Sequence, residues 1–233
     1  VTRDNDGGIW VYSEGEEIDL ILREGDQAPG AANGVTFSSW YGPVLNGAGH
    51  VAVHATVTDG DGDRGQGIWA QREDGDLALV AFIGEAAPGT EEGVYFDSFA
   101  GSPPAFNVYN QLAFTANLAG DSTHDANDKG LWATTRSGVL RLIAREGEDL
   151  DVDDGPGVDF RTIRTLSFVS GGGNQDGLPS ALNERGQIAF AAEFTDGTSG
   201  LFVSDRVAIP EPPSLWLSAV AFLATRRPSS GRR

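Results

Sequence analysis

Leu20-Ile21-Leu22-Arg23-Glu24-Gly25-Asp26 runs on, after one residue, into Ala28-Pro29-Gly30. Leu79 to Glu85 follows 59 residues later and runs on in the same way into Ala87-Pro88-Gly89, and Leu142 to Glu148 opens the pattern again 63 residues further on. Two other landmarks keep step. Gly8-Ile9-Trp10 returns as Gly67-Ile68-Trp69, Gly130-Leu131-Trp132 and Gly200-Leu201-Phe202, at spacings of 59, 63 and 70. Phe37 returns as Phe96 and Phe160, at 59 and 64. One phase shared by three landmarks is the signature of a tandem repeat, in which each unit buries its apolar face against its neighbours.

Each unit reads as four short strands. The first alternates apolar and polar residues over Val51 to Thr58, Leu112 to Leu118 and Ile188 to Thr195. The second carries the Gly-apolar-aromatic motif. The third is Asp19 to Arg23, Leu77 to Phe82 and Leu140 to Arg145, and the fourth surrounds Phe37, Phe96 and Phe160. Turn-forming pairs such as Glu14-Gly15, Asp74-Gly75 and Ser137-Gly138 separate the second strand from the third. With 32 Gly and 11 Pro in 233 residues the chain suits many short strands, and 39% hydrophobic content is enough to bury a core. The fold expected is all-β, a β-propeller-like array of four-stranded antiparallel blades, about three and a half of them, with an open stack of sheets as the alternative. Trp10, Trp69, Trp132 and Phe202 are expected to be inter-blade core. The strand count opens partway through a repeat, so further repeats and a signal peptide are expected upstream in the intact protein.

A fourth landmark carries a family resemblance. Asn46-Gly47-Ala48-Gly49-His50-Val51-Ala52-Val53 and Asn183-Glu184-Arg185-Gly186-Gln187-Ile188-Ala189-Phe190 resemble the NxxGxxAF tandem-repeat family of bacterial exported proteins. The copy between them, Asn107 to Phe114, has Asn110 where the others have Gly49 and Gly186. Asn is the residue that best replaces Gly at positive φ, so a turn is expected at all three. The resemblance spans residues 1–206 and implies a repeat architecture without implying an activity.

The tail, residues 207–233, carries a second resemblance. Pro210-Glu211-Pro212, an apolar run from Leu215 to Thr225 and then Arg226-Arg227 resemble a PEP-CTERM sorting signal. That resemblance implies export, recognition by exosortase-type machinery, and delivery to the cell surface or extracellular matrix, with the C-terminal segment only transiently in the inner membrane. As a helix the run would span about 16 Å against roughly 30 Å of hydrocarbon, too short for a permanent anchor. Pro210, Pro212 and Pro213 are expected to uncouple a short apolar helix from the β-body.

Charge removes one class of partner. The net charge is −18, and four of the arginines lie in the tail, so the body is more acidic still. Such a surface repels phosphate backbones, which excludes nucleic acid and leaves glycans, surface proteins and divalent cations open. There is no cysteine, hence no disulfide framework and no thiolate chemistry.

The remaining motifs have plain readings. Asp59, Asp61 and Asp63 stand at alternate positions, as in calcium loops, but an EF-hand would need Gly and Glu where Arg64 and Ala70 stand. Solvated hairpin turns are the expectation, with calcium as a minor alternative. Arg23-Glu24-Gly25-Asp26 and Arg145-Glu146-Gly147-Glu148 read as strand-end ion pairs or turns, because an active site is not built once per repeat. Of the histidines His50, His54 and His124, the first two are four apart on a predicted strand and share a face that could approach a metal, but with no HExxH and no partnered carboxylate in sequence a chance pair is the expectation. No catalytic residue is assigned. The function expected is a non-catalytic exported scaffold or binding module without a cofactor, against the alternative of a glycan-active hydrolase or lyase.

Overall fold

The computed structural model describes residues 5–204 apart from 13, 14, 16, 63, 100–102, 154 and 174–176. Turns divide these residues into four antiparallel sheets, in chain order. β1 (Gly8–Val11) and β2 (Asp19–Arg23) form a two-stranded sheet. β3 (Thr36–Leu45), β4 (Val51–Thr58), β5 (Arg64–Gln71) and β6 (Leu77–Phe82) lie side by side in that order. β9 (Leu112–Ala119) is flanked by β10 (Lys129–Thr134), which continues to β11 (Leu140–Arg145), and on its other edge by both β7 (Tyr95–Phe99) and β8 (Ala105–Phe106). The fourth sheet is β12 (Asp149–Asp151), β13 (Phe160–Phe168), β14 (Ala189–Phe194) and β15 (Ser199–Val203). The fold is all-β, with no helix among the described residues and so none able to cross a membrane. The predicted tail helix lies outside those residues.

Equivalent strands carry equivalent irregularities. The pairs β1·β2, β5·β6 and β10·β11 each slip register just before the tryptophan, giving Trp10↔Leu20, Trp69↔Leu79 and Trp132↔Leu142. The extra residue, Ile21, Val80 or Ile143, lies on the partner strand, so the aliphatic residue and the aromatic after it keep the ordinary pleat and point to opposite faces of the sheet. Glycine two residues before each ring is explained by close approach. A Cβ at Gly8, Gly67 or Gly200 would lie 2.6, 2.7 or 2.8 Å from the ring two residues on, and one at Gly130 would strike Trp132. The aromatic folds back over its own strand, and only glycine leaves room.

The sheets stack face to face through three apolar clusters. Ile9 and Leu22 of the first sheet meet Val53, Val57 and Trp69 of the second. Ile68 and Ala52 on the opposite face of the second meet Phe96, Phe114 and Trp132 of the third. Leu131 and Ala133 on the far face of the third meet Ile163, Phe190 and Phe194 of the fourth, with Phe202 packed alongside. Each aromatic therefore looks back toward the preceding sheet, and its aliphatic neighbour looks forward. Each large ring buried this way stabilises its contact by about 3 kcal/mol or more relative to Ala.

Two expectations are corrected. Trp10 is 53% exposed rather than core. Trp69 and Trp132 each meet a fourth-strand phenylalanine edge-on, Phe37 and Phe96, and donate Nε1–H to the carbonyls of Pro29 and Pro88. Among the described residues Trp10 sits on a sheet of two strands and has neither. Phe160 is likewise exposed, at 62%, and Ile163 holds the position equivalent to Phe37 and Phe96. The backbone identifies it: Phe37, Phe96 and Ile163 donate to Asp26, Glu85 and Glu148, and accept from Gly25, Gly84 and Gly147. Pairing of β12 with β13 adds residues in this unit and displaces the register.

Candidate functional site

The NxxG turns follow one another along the stack, one in each of the second, third and fourth sheets. The Asn46 side-chain oxygen accepts from the backbone N–H groups of Ala48 and His50. Asn107 does the same for Tyr109 and Gln111, and Asn183 for Arg185 and Gln187. Gly49, Asn110 and Gly186 have φ of 83°, 57° and 75°, so the expected left-handed turn is present in all three, Asn110 included. At the start of the following strand, the backbone N–H of Val51, Leu112 and Ile188 is satisfied by the side chain of Gln71, Thr134 and Ser204 respectively.

The asparagine amides then cross between units. Asn46 Nδ2 donates to the carbonyl of Asn107 at 2.8 Å, and Asn107 Nδ2 donates to the carbonyl of Asn183 at 2.8 Å. Asn110 adds a further crossing, its side-chain oxygen lying 2.8 Å from Asn46 Nδ2 and 2.9 Å from His50 Nδ1. Asn110 is thus more than a substitute for glycine. A cleft of about 500 Å³ opens beside the ladder, lined by Asn107, Asn183, Glu184, Ser180, Gly172 and Gly173 among others. Its lining mixes the amides of Asn107 and Asn183, the Ser180 hydroxyl and the Glu184 carboxylate with the apolar Val108, Pro179 and Leu182.

The Arg-Glu-Gly segments are turns, with Gly25 and Gly147 at φ of 83° and 82°. Arg145 does not pair with its neighbours in sequence. It is buried, donates Nε–H to the Asn127 carbonyl and meets Glu91 of the preceding unit at 2.6 Å. Arg23 repeats the Nε contact, with the Asn5 carbonyl. The Glu91 carboxyl is held below its ordinary range by its own backbone N–H first and by Arg145 second. Burial pushes the Glu146 and Glu148 carboxyls up. Raised carboxyls are a feature of acid–base sites. Glu146, however, accepts the N–H of Leu166 while Lys129 donates to the Leu166 carbonyl, so both clamp β13 against the third sheet.

The other sequence candidates do not converge. Asp59 accepts the N–H of Asp61 within a turn, and Asp63 lies outside the described residues. His54 is buried against Tyr41 and Phe99, apart from His50, which faces Asn110. His124 caps a loop through Ala126 N–H. Among the described residues no three His, Asp or Glu side chains are grouped to hold a metal ion. Pro210, Glu211, Pro212, Arg226 and Arg227 also lie outside the described residues. Reading from sequence missed the amide ladder and the Trp-to-Pro bonds. The in-phase recurrence of Asn46, Asn107 and Asn183, and of Ala-Pro-Gly ahead of Trp69 and Trp132, was the available signal.

No curated protein and no solved structure matches the chain. A family model matches residues 1–216, past Arg206 and across Pro210-Glu211-Pro212. On that extent of match, the chain belongs to the family described as a family of unknown function, DUF7453.

Proposed function

We propose that this chain is a non-catalytic repeat scaffold, exported and displayed at the cell surface or in the extracellular matrix. Its four units act as the blades of a propeller-like array of the NxxGxxAF kind, and its tail is a PEP-CTERM-type signal read by exosortase-type machinery. The observation that supports the scaffold reading is the amide ladder. The side-chain oxygens of Asn46, Asn107 and Asn183 shape their turns, and the amides of Asn46 and Asn107 tie unit to unit, so the recurrent polar side chains are engaged in holding the repeat together. The acidic surface and the hydrogen-bonding cleft beside the ladder suit neutral glycans or surface proteins as ligands.

The test expresses the parent protein in a host with and without an exosortase and analyses the surface fraction by mass spectrometry. Delivery that depends on the exosortase, with Leu215 to Arg233 removed from the mature protein, is the expected result. Retention of that segment, or delivery unchanged after its deletion, would refute the sorting assignment.

A further inference from the structure

Two Asn-Gly pairs stand in the sequence, Asn33-Gly34 and Asn46-Gly47, and the fold treats them oppositely. Asparagine followed by glycine is a labile pairing, because the glycine nitrogen has no side chain beside it to shield it from the amide carbon. Asn46 is 1% exposed and held at both ends of its amide. Its Oδ1 accepts from Ala48 and His50, and its Nδ2 donates to the Asn107 carbonyl and to Asn110 Oδ1. Asn33 is exposed, and the space around the Cβ position of Gly34 is open. Its turn is closed by Val35 N–H donating to the Ala32 carbonyl at 3.1 Å, with Gly34 at φ of 90°, as in a type II turn. Gln27 fastens that turn from the side. Its Nε2 donates to the carbonyls of Ala28 and Ala32, and its Oε1 accepts Gly34 N–H at 2.8 Å. The next unit builds the same turn, with Val94 N–H on the Glu91 carbonyl and Gly93 at φ of 86°. There Glu92 stands for Asn33 and Ala86 for Gln27, so the labile amide and the clamp occur together and are replaced together.

We propose that Asn33 is a modification site, converting with water to aspartate and isoaspartate, and that Gln27 governs the rate. The Gly34 nitrogen, once its proton passes to solvent, bonds to Asn33 Cγ, and the Cγ–Nδ2 bond breaks to release ammonia. Water then opens the five-membered imide at either carbonyl. The balance is an amide and a water in, a carboxylic acid and an ammonia out, with no change of oxidation state. The step needs a free Gly34 N–H and a side chain able to turn back onto it. Asn33 is exposed and can turn. Asn46 would have to give up its hydrogen bonds to Ala48, His50, Asn107 and Asn110 and leave a buried site. Gln27 acts as a positioning residue: Oε1 keeps the proton on Gly34, and the Nε2 contacts fix the backbone on either side. Aspartate at 33 gives the first unit the acidic turn that Glu92 gives the second. Isoaspartate instead lengthens the main chain of the turn by a methylene.

The experiment holds the purified 233-residue chain at mildly alkaline pH and body temperature for several weeks. Fragmentation of its peptides by mass spectrometry assigns conversion to Asn33 or to Asn46. Asn33 is expected to convert while Asn46 stays an amide. In concentrated urea, where turn and ladder are both gone, the two are expected to convert at similar rates, since glycine follows each. Gln27→Ala is expected to speed Asn33 several-fold and leave Asn46 unchanged. Gln27→Glu, which keeps an acceptor for Gly34 N–H, is expected to stay near the parent rate. Gln27 is exposed, so circular dichroism should be unchanged in both variants. If Gln27→Ala fails to fold, Gln27→Ser is expected to give the same acceleration. Asn46 keeping pace with Asn33 in the folded chain would overturn the site, as would an intact Asn33 beside a urea-unfolded sample that converts. A parent rate in Gln27→Ala, or an equal acceleration in Gln27→Glu, would overturn the clamp. The result is independent of the export reading, since it is a covalent change in purified protein outside any cell.

Discussion

His54 sits on β4 between the second and third sheets, 3% exposed, and neither ring nitrogen has a hydrogen-bond partner. Burial holds its pKa below the ordinary 6.5, and the Gln66 amide offsets only part of that. A depressed histidine pKa means that the unfolded chain takes up the proton first as pH falls. Its effect on stability is therefore absent above about pH 6.5 and becomes a loss as pH drops below it, levelling off only beneath the folded pKa. Denaturant titrations over this range should show His54→Phe losing less stability on acidification than the parent chain. An unchanged slope would remove His54 as the cause. Glycine beneath the rings is the other feature at this scale. Gly67→Ala should cost about 1–3 kcal/mol, because the new Cβ must displace the fully buried Trp69 indole. Gly75→Ala would be a poor control, as its φ is 85°. Gly60, with open space around its Cβ position, is a sound one, and Gly60→Ala should be near neutral.

At the scale of elements, the asparagine turn does two jobs in one side chain. Asn107 is buried, holds its own turn through Oδ1, and reaches the next unit through Nδ2. Asn183 is exposed, holds its turn in the same way, and directs Nδ2 to Gln187 within that turn. Asn107→Ala leaves buried donors unsatisfied and should cost about 3 kcal/mol, against about 1 kcal/mol for Asn183→Ala. Equal losses in chemical denaturation would show that the inter-unit bond adds nothing. The tryptophans obey the same logic. Trp69 and Trp132 occur in sheets entered through Ala-Pro-Gly, whose proline carbonyl accepts the indole N–H. The fourth sheet is entered without that tripeptide, and phenylalanine stands at position 202. Trp132→Phe should therefore cost about 1 kcal/mol beyond its packing change.

Over the whole molecule, carboxylates dominate an exposed surface whose net charge is −18. Their mutual repulsion is long-ranged and screened within about 10 Å at ordinary ionic strength. The melting temperature should rise with sodium chloride, and calcium should add nothing beyond magnesium at equal ionic strength. Asp59 already accepts a backbone N–H from Asp61, as a solvated hairpin turn does. Calorimetric calcium binding in the micromolar range, abolished by Asp61→Ala, would overturn this and establish the loop as a site. The sheets themselves should melt as one unit. Each apolar cluster draws residues from two neighbouring sheets, so no sheet keeps its core when its neighbour opens.

By itself the sequence determined the all-β class, the in-phase recurrence of its landmarks, the limits of β2, β6 and β11, and the left-handed turn at Asn110. These are local properties: alternation along a strand and the φ tolerance of Gly and Asn act within a few residues. Tertiary structure decided the rest. Phe160 looked like the partner of Phe37 and Phe96 by spacing, yet Ile163 occupies the place because β12 pairs with β13 and shifts the register. Trp10 carries the same motif as Trp69 and has the opposite exposure, because burial depends on which sheet lies behind it. Asn46 and Asn107 read as turn residues, but their amide nitrogens find acceptors 61 and 76 residues away. A hydrogen bond or an apolar contact across sheets exists only once the units are stacked, and no pattern confined to one unit specifies its neighbour.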